Sequence, residues 1–202
     1  MKVLLGVGAY GDFITSGLGQ FLYAVHGQKG HQFRLVIAHL FGHANMRNGI
    51  VAKFLESDAE ALWFLDHDIV PPVDACKLLD TEGDIVAGYY SHPPLKEGNK
   101  TGACIWLKDE SEKDQEGDIW NVRGVGMGAT VIHRRVLEDE RMIVESNDES
   151  GKHKPFFRFR WKDDGSPLLG EDYDFCDRAR ELGYRVVINN AIKFGHTKTM
   201  TI

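Results

Sequence analysis

The chain has few cysteines and no long apolar segment. Its three cysteines, Cys76, Cys104 and Cys176, are an odd number without a CxxC pair, so we expect neither a disulfide framework nor a structural zinc site. No apolar run reaches the roughly 18 residues that a membrane-spanning helix needs. The short apolar N-terminus, interrupted by glycines, is predicted to be a first strand and not a signal peptide. These features favour a reducing, cytoplasmic compartment.

The chain also has no excess of basic residues. Its 24 Lys and Arg residues are outnumbered by 30 Asp and Glu residues, which gives a formal net charge of −6. A protein that mainly coats nucleic acid needs the opposite balance, so we do not expect that function. The length of 202 residues and the hydrophobic content of 43% predict one globular domain, residues 1–202, with a sizeable core.

The most informative stretch is residues 61–72, ALWFLDHDIVPP. Its apolar run predicts a strand buried on both faces, which the two prolines end. Asp66 and Asp68 would then lie at the carboxyl end of a central strand, where open α/β sheets bind ligands. Because side chains alternate along an extended backbone, we expect both carboxylates to face one volume and His67 to face the other way. A divalent cation that also contacts phosphate would relieve their repulsion. Capping of the next helix is the alternative.

Strands and helices alternate through the first ninety residues. Strands are predicted over 2–7, 33–40, 61–70 and 84–90, and helices over 13–25, 44–57 and 74–80. This pattern indicates the α/β class, with a mostly parallel central sheet flanked by helices. Arg47, in the first turns of the second helix, suits a phosphate group or is an ordinary solvated arginine.

The second half has a different character. Residues 103–108 and 118–123 alternate apolar and polar side chains like a small antiparallel hairpin around an acidic linker. Gly126 lies in a small-residue stretch, 124–128, whose backbone can approach a ligand or another strand. Residues 156–161, FFRFRW, place aromatic residues on one face and basic residues on the other. This pattern favours a half-buried strand over a surface for single-stranded nucleic acid or a sugar.

A helix is clearly predicted over residues 170–183. Acidic residues fill its first turn, apolar residues recur at helical spacing, and a glycine ends it. Glu171 and Asp172 begin this helix, and that position is expected to keep the pKa of Asp172 low. Helix capping alone is the alternative role of this pair. One strand later the chain reads Gly195-His196.

In order, Asp66-His67-Asp68, Gly170-Glu171-Asp172 and Gly195-His196 resemble the motifs of GT-A-type glycosyltransferases of the small, family-2-like kind found in bacteria and bacteriophages. The resemblance covers nearly the whole chain. It implies one GT-A-like (Rossmann-like) domain, with residues 1–90 as the nucleotide-binding half and residues 91–202 completing the metal site and the acceptor site. It places the protein in the cytoplasm, that of the host if a phage encodes it. The first turn lacks the proline of the family's P-x-Y motif.

The resemblance implies metal-dependent transfer of a sugar from a nucleotide-sugar donor, a UDP- or GDP-sugar, to an acceptor hydroxyl. Mn²⁺ or Mg²⁺ would be bound by Asp68 and His196, and by Asp66 directly or through water. Carboxylate and imidazole ligands suit Mn²⁺ better than Ca²⁺. Asp172 would be the catalytic base of an inverting enzyme, and Glu171 is the alternative base. The residues expected to contact the donor are Ala9, Tyr10, Asp12, Arg47, Asp66, His67, Gly126 and Lys198.

The acceptor stays open between a glycan, a lipid carrier, a protein and a modified nucleobase. The donor sugar, the stereochemical outcome and the oligomeric state also stay open. A second function fits the sequence, because FLDHDIV resembles the opening motif of haloacid-dehalogenase-like phosphatases, with Asp66 as nucleophile and Asp68 as acid/base. That motif normally lies on the first strand, whereas two strands precede it here. A third candidate is a GT-A-like binding module without turnover.

Overall fold

The computed structural model describes residues 1–9, 13–28, 30–39, 42–92, 102–106, 115–145 and 154–197. Through Tyr89 the elements are β1 (Lys2–Gly8), α1 (Ser16–Val25), β2 (Gln32–Ala38), α2 (His43–Leu55), β3 (Ala61–Asp66), β4 (Ile69–Val70) and β5 (Ile85–Tyr89), with a 3-10 helix at Ala75–Asp80. The next elements are β6 (Ser91–His92), β7 (Gly102–Ala103), β8 (Ile105–Trp106), β9 (Gln115–Glu116), β10 (Ile119–Asn121), β11 (Gly124–Val125) and β12 (Ala129–His133). The last are α3 (Arg134–Leu137), a 3-10 helix at Glu140–Met142, β13 (Arg160–Trp161), β14 (Pro167–Leu169), α4 (Glu171–Glu181), β15 (Val186–Lys193) and β16 (Gly195–His196). None of the described helices is both long and apolar enough to cross a bilayer.

Among the described residues, the main sheet has eight strands in the order β2-β1-β3-β12-β5-β15-β10-β9. β1 pairs in parallel with β2 and β3, and β5 pairs in parallel with β15. β12 and β10 run against their neighbours, so the other six strands share one direction. The predicted α/β class with a mostly parallel sheet is confirmed.

Both faces of the sheet are covered because the central strands are apolar on both sides. Leu18 of α1 belongs to the same buried cluster as Trp63 of β3. On the opposite face, Phe54 of α2 and Phe175 of α4 belong to a second cluster with Phe64 of β3. Each such side chain, when fully buried, stabilises the fold by roughly 1.5–3 kcal/mol. The second cluster fixes α2 and α4 on one face, and the first turn of each helix lies at the carboxyl end of β3.

Two elements are shorter than predicted, the first helix at its start and the strand that carries Asp66 at its end. The first helix begins at Ser16 and not at residue 13, because Thr15 is its N-cap and accepts a hydrogen bond from the N–H of Leu18 at 3.2 Å. The strand predicted over residues 61–70 ends at Asp66 and does not reach the prolines. Residues 67 and 68 form a turn, and Ile69–Val70 continues as a separate short strand.

The predicted small antiparallel region is present, but the described residues of 103–108 and 118–123 do not pair with each other. β10 pairs with β15 and β9, while β8 pairs with β11. Alternating hydrophobicity identifies strands but does not identify the strands with which they pair. β15 has an edge with unpaired backbone groups, and β10 forms its hydrogen bonds there. Most of the acidic linker lies outside the described residues.

The predicted strand at residues 156–161 forms only at its end, over Arg160–Trp161, which pairs with β14. Phe156 and Phe157 are both buried, whereas Phe159 and Trp161 are both exposed, so the expected half-buried strand with one aromatic face is wrong.

Candidate functional site

A cleft of about 340 Å³ opens where β3 ends, between the first turns of α2 and α4. It brings together residues from all three motifs. Its lining is His43, Arg47, Asp66, His67, Asp68, Tyr90, Cys104, Gly126, Phe159, Glu171, Asp172, Tyr173 and His196. Asp66, Asp68, Glu171, Asp172 and His196 therefore lie together at the carboxyl end of β3.

Asp68 and His196 are in direct contact at the floor of the cleft. β4 pairs with β16, with His196 opposite Ile69, and this places the Asp68 Oδ2 atom 3.0 Å from the His196 Nε2 atom. The Nδ1 atom of the same ring lies 3.2 Å from the carbonyl oxygen of Ser91. Burial raises the pKa of Asp68, but the hydrogen bond and charge of His196 outweigh it, so the pKa of Asp68 is lowered. The hydrogen bond to Asp68 raises the pKa of His196.

The turn at residues 67 and 68 overturns one expectation about the DxD motif. The N–H of Asp66 donates to the Gly128 carbonyl at 3.0 Å and the N–H of His67 donates to the Gly8 carbonyl at 3.1 Å, after which the backbone leaves the extended conformation. Strict alternation therefore does not apply. His67 was expected to face away from the two carboxylates, but it lines the cleft beside both of them.

Arg47 is buried between the DxD strand and α4. Its side chain is only 4% exposed, and its guanidinium donates to Glu171 Oε1 and lies 3.7 Å from Asp66 Oδ2. Burial lowers the pKa of Arg47, but the charges of Asp66, Glu171 and Asp172 raise it above the ordinary value. The alternative of an ordinary solvated arginine is therefore wrong. Donor contact by Arg47 stays a prediction.

The first turn of α4 holds the two candidate bases in different environments. Glu171 is buried and paired with Arg47, whereas Asp172 accepts a hydrogen bond from the N–H of Tyr173 at 2.8 Å. Burial raises the pKa of Asp172 to about 6, and the charge of Glu171 adds to this rise, while Arg47 opposes it. The expected low pKa of Asp172 is wrong, because desolvation outweighs the helix N-terminus. A role in capping alone does not account for this burial.

Tyr90 is a cleft residue that the sequence analysis missed. Its buried hydroxyl accepts a hydrogen bond from the N–H of Gly128 at 3.0 Å. A Cβ atom at Gly126 would lie 2.3 Å from this hydroxyl oxygen, and one at Gly128 would lie 2.9 Å from Asp66 Oδ2. The small residues at 124–128 therefore let side chains of the neighbouring segments come close to this backbone. Those side chains are Tyr90 and Asp66.

Two of the expected metal ligands, Asp68 and His196, lie side by side. Their atoms are 3.0 Å apart, which is a hydrogen-bond distance, and a cation bound by both would replace the proton that they share. The carbonyl of Ser91 orients the imidazole ring, as outer partners of metal-binding histidines do. Asp66 is turned towards Arg47, and within the described ranges no set of three such side chains surrounds one point. The pair fits an ion whose other ligands are phosphate oxygens and water.

Among the remaining predicted donor contacts, the structure describes Ala9, which lies outside the cleft. Ala9 is buried and its N–H donates to the carbonyl oxygen of Ala38 at 3.1 Å, and it is not among the residues that line the cleft. Tyr10, Asp12 and Lys198 lie outside the described residues.

No protein-family model and no curated protein matches the chain. Similarity is found to solved structures. A197 from STIV is 23% identical, with a TM-score of 0.65 over 98% of this chain and 87% of that one. The catalytic domain of Drosophila beta1,4-galactosyltransferase 7, solved with xylobiose, is 18% identical, with a TM-score of 0.55 over 98% of this chain and 71% of that one.

GalNAc-T7, solved with UDP, GalNAc and Mn²⁺, is 10% identical, with a TM-score of 0.57 over 98% of this chain. Here the matched region is only 43% of the GalNAc-T7 chain. At these identities the comparisons show the fold alone. The protein thus has a GT-A-like α/β fold, shared with glycosyltransferases whose sequences are very different.

Proposed function

We propose that this protein is a metal-dependent glycosyltransferase, which moves a sugar from a UDP- or GDP-sugar to an acceptor hydroxyl. The observation that carries the proposal is the meeting, in one cleft of a GT-A-like fold, of the Asp68–His196 pair with the half-buried carboxyl of Asp172. Residues 1–90 are proposed to bind the nucleotide and residues 91–202 to complete the metal and acceptor sites.

Asp68 and His196 are the residues that would hold Mn²⁺ or Mg²⁺. When bound, the cation supplies charge neutralisation for the departing diphosphate. The Ser91 carbonyl keeps the His196 ring oriented with Nε2 towards Asp68. Thr197 fixes the turn from the other side, since its N–H and its hydroxyl both donate to the Asp68 carbonyl at 2.9 Å. The site would therefore be preorganised before the donor arrives.

Asp172 is the base that the cleft favours. Glu171 is held by Arg47, while the pKa of Asp172 is about 6. Such a carboxylate is ionised at neutral pH yet more basic than an exposed one. In a direct displacement, the acceptor oxygen bonds to the anomeric carbon, the bond from that carbon to the diphosphate oxygen breaks, and Asp172 takes the hydroxyl proton.

The phosphatase alternative is weaker. It requires Asp66 as a nucleophile, and here Asp66 lies on the third strand with Arg47 3.7 Å from its Oδ2 atom. A binding module without turnover differs from the proposal only in lacking activity, so the activity experiment decides between them.

The experiment is release of nucleoside diphosphate from a panel of UDP- and GDP-sugars, with water as the acceptor, in the presence and absence of Mn²⁺. We expect Mn²⁺-dependent release that Asp68→Ala and Asp172→Asn each reduce by at least 100-fold. The matched control is Asp58→Ala, which removes an exposed aspartate paired with Lys2 at 2.6 Å, and it should retain full activity. Release that survives Asp68→Ala would overturn the metal-dependent mechanism.

A further inference from the structure

Two neighbouring aromatic side chains are exposed, and one of them, Phe159, belongs to the lining of the cleft. Phe159 is 40% exposed and Trp161 is 59% exposed, and their ring centroids are 6.3 Å apart with the planes tilted by 40°. Phe159 lines the same cleft as Asp172. Large exposed aromatic residues beside a cleft are typical of a binding surface, because their burial would otherwise stabilise the fold.

The basic residues of the same segment are turned towards α4. The Arg158 Nε atom lies 3.4 Å from Asp174 Oδ2, the Arg160 Nε atom lies 3.2 Å from Asp174 Oδ1, and an Arg160 amino group lies 2.8 Å from Asp177 Oδ2. Asp174 is fully buried. These ion pairs hold the segment against the helix that carries Asp172 and draw both cations away from the aromatic side.

The beginning of the segment is also anchored. The Asn48 Oδ1 atom accepts hydrogen bonds from the N–H groups of Phe156 and Phe157 at 2.8 and 2.9 Å, and its amide donates to the Phe157 carbonyl at 2.9 Å. The ring of Phe157 stacks on that of Phe175, with centroids 4.5 Å apart. Phe175 belongs to α4, which also carries Asp172. The segment that bears Phe159 and Trp161 is therefore held in a fixed position relative to Asp172. A rigid platform binds a ligand at a lower entropic cost.

We propose that Phe159 and Trp161 form a stacking platform for a pyranose ring of a carbohydrate acceptor, whose hydroxyl faces Asp172. This inference rests on the proposed function and adds the class of acceptor to it. The C–H face of a sugar carries partial positive charge and suits the negative face of an aromatic ring. The other hydroxyl groups of the sugar stay in water at this open rim.

The same aromatic residues could stack on nucleic acid bases, but the charges disfavour that ligand. Single-stranded nucleic acid needs a basic groove that follows its phosphates beside the aromatic residues. Here the arginines nearest in sequence contact Asp174 and Asp177, and the chain is acidic overall. A neutral saccharide needs no such groove.

The test is binding of the intact protein to a printed array of neutral oligosaccharides containing glucose, galactose, mannose and xylose units. A labelled oligo(dT) and a labelled oligo(U) are titrated in parallel. We expect selective saccharide binding that Trp161→Ala and Phe159→Ala weaken at least tenfold and Trp161→Phe largely retains. The matched control is Tyr23→Ala, which removes an 88% exposed aromatic residue of α1 and should change nothing.

Three outcomes would overturn the platform: saccharide binding unchanged in both alanine variants, no saccharide binding at all, or oligonucleotide binding that Trp161→Ala abolishes. Thermal stabilisation by UDP or GDP with Mn²⁺ is measured on the same samples. If that stabilisation persists while saccharides fail to bind, only the acceptor inference is wrong. If it is also absent, the proposed function itself is wrong.

Discussion

The Asp68 Oδ2 atom lies 3.0 Å from the Nε2 atom of His196, although 128 residues separate them in the chain. Two short strands, Ile69–Val70 and Gly195–His196, produce this contact by pairing immediately after the central strand ends. The pairing brings a carboxylate from about one third of the way along the sequence and an imidazole from near its end into one cleft.

Arg47→Met should destabilise the protein by about 3–5 kcal/mol, because it leaves the buried Glu171 carboxylate without its cation. The double variant Arg47→Met/Glu171→Gln should lose less, since no buried charge is left unpaired. Urea denaturation measures both. The control is Arg34→Met, which removes a 68% exposed arginine paired with Asp58 and should cost under about 1 kcal/mol. Equal losses for Arg47→Met and Arg34→Met would contradict the role of the buried pair.

Asp172→Asn should raise the thermal stability at pH 8 and leave it unchanged at pH 4. The pKa of Asp172 is about 6 in the folded protein and 3.8 for an unperturbed aspartate, so the folded state binds this proton more tightly than the unfolded state. The free energy of unfolding therefore decreases as the pH rises from about 4 to 6, because the folded state loses the proton of Asp172. Above about pH 6 this decrease is complete. Removing the charge should recover about 1–3 kcal/mol at pH 8. Destabilisation at pH 8 would show instead that the ionised carboxylate stabilises the fold.

The ionisation of Asp172 should also determine how kcat decreases at acidic pH. With donor and Mn²⁺ both saturating, kcat should rise tenfold per pH unit below about pH 6 and level off above it, because only the ionised form of Asp172 accepts the proton. Initial rates between pH 4.5 and 8.5 measure this decrease. A plateau that extends below pH 5 would exclude Asp172 as the base and leave Glu171 as the candidate.

Gly128→Ala should weaken nucleotide binding at least tenfold, because its Cβ atom would lie 2.9 Å from Asp66 Oδ2 and 3.0 Å from the Tyr90 hydroxyl. The matched control is Gly19→Ala within α1, where the nearest atom to the new Cβ is 3.7 Å away. This control should stabilise the protein by about 0.5–1 kcal/mol and leave binding intact. Titration of a fluorescent UDP or GDP analogue compares the two. Equal affinities would show that Asp66 and Tyr90 tolerate displacement.

Much of the fold follows from local patterns in the sequence. The apolar run before Asp66 predicts a doubly buried strand, and the acidic first turn with Gly183 after the last turn predicts α4; both agree with the structure. Strand partners did not follow from such patterns, as β10 shows. Alternation sets which side of a strand is apolar, but the available sheet edge decides which strand it joins.

The members of the candidate site were easier to predict than their environments. Motif order identified Asp68, Asp172 and His196, which the fold brings to one cleft. The raised pKa of Asp172 and the burial of Arg47 depend on desolvation by distant segments, which one sequence does not display. Tyr90 was missed because its signal was a pair of glycines, Gly126 and Gly128, that lie far along the chain and leave room for its hydroxyl.

The most direct test of the central claim is thermal unfolding of the wild type and of Asp68→Asn with UDP, GDP, CDP or dTDP, each with and without Mn²⁺. A ligand at about 100 times its Kd stabilises the folded state by roughly 2.7 kcal/mol, which is a shift of several degrees in a protein of this size. We predict a shift in the wild type with at least one of UDP and GDP, only when Mn²⁺ is present, and no shift in Asp68→Asn. A shift that persists without Mn²⁺ or in Asp68→Asn, or no shift with any nucleotide, would contradict a metal-dependent nucleotide-sugar site.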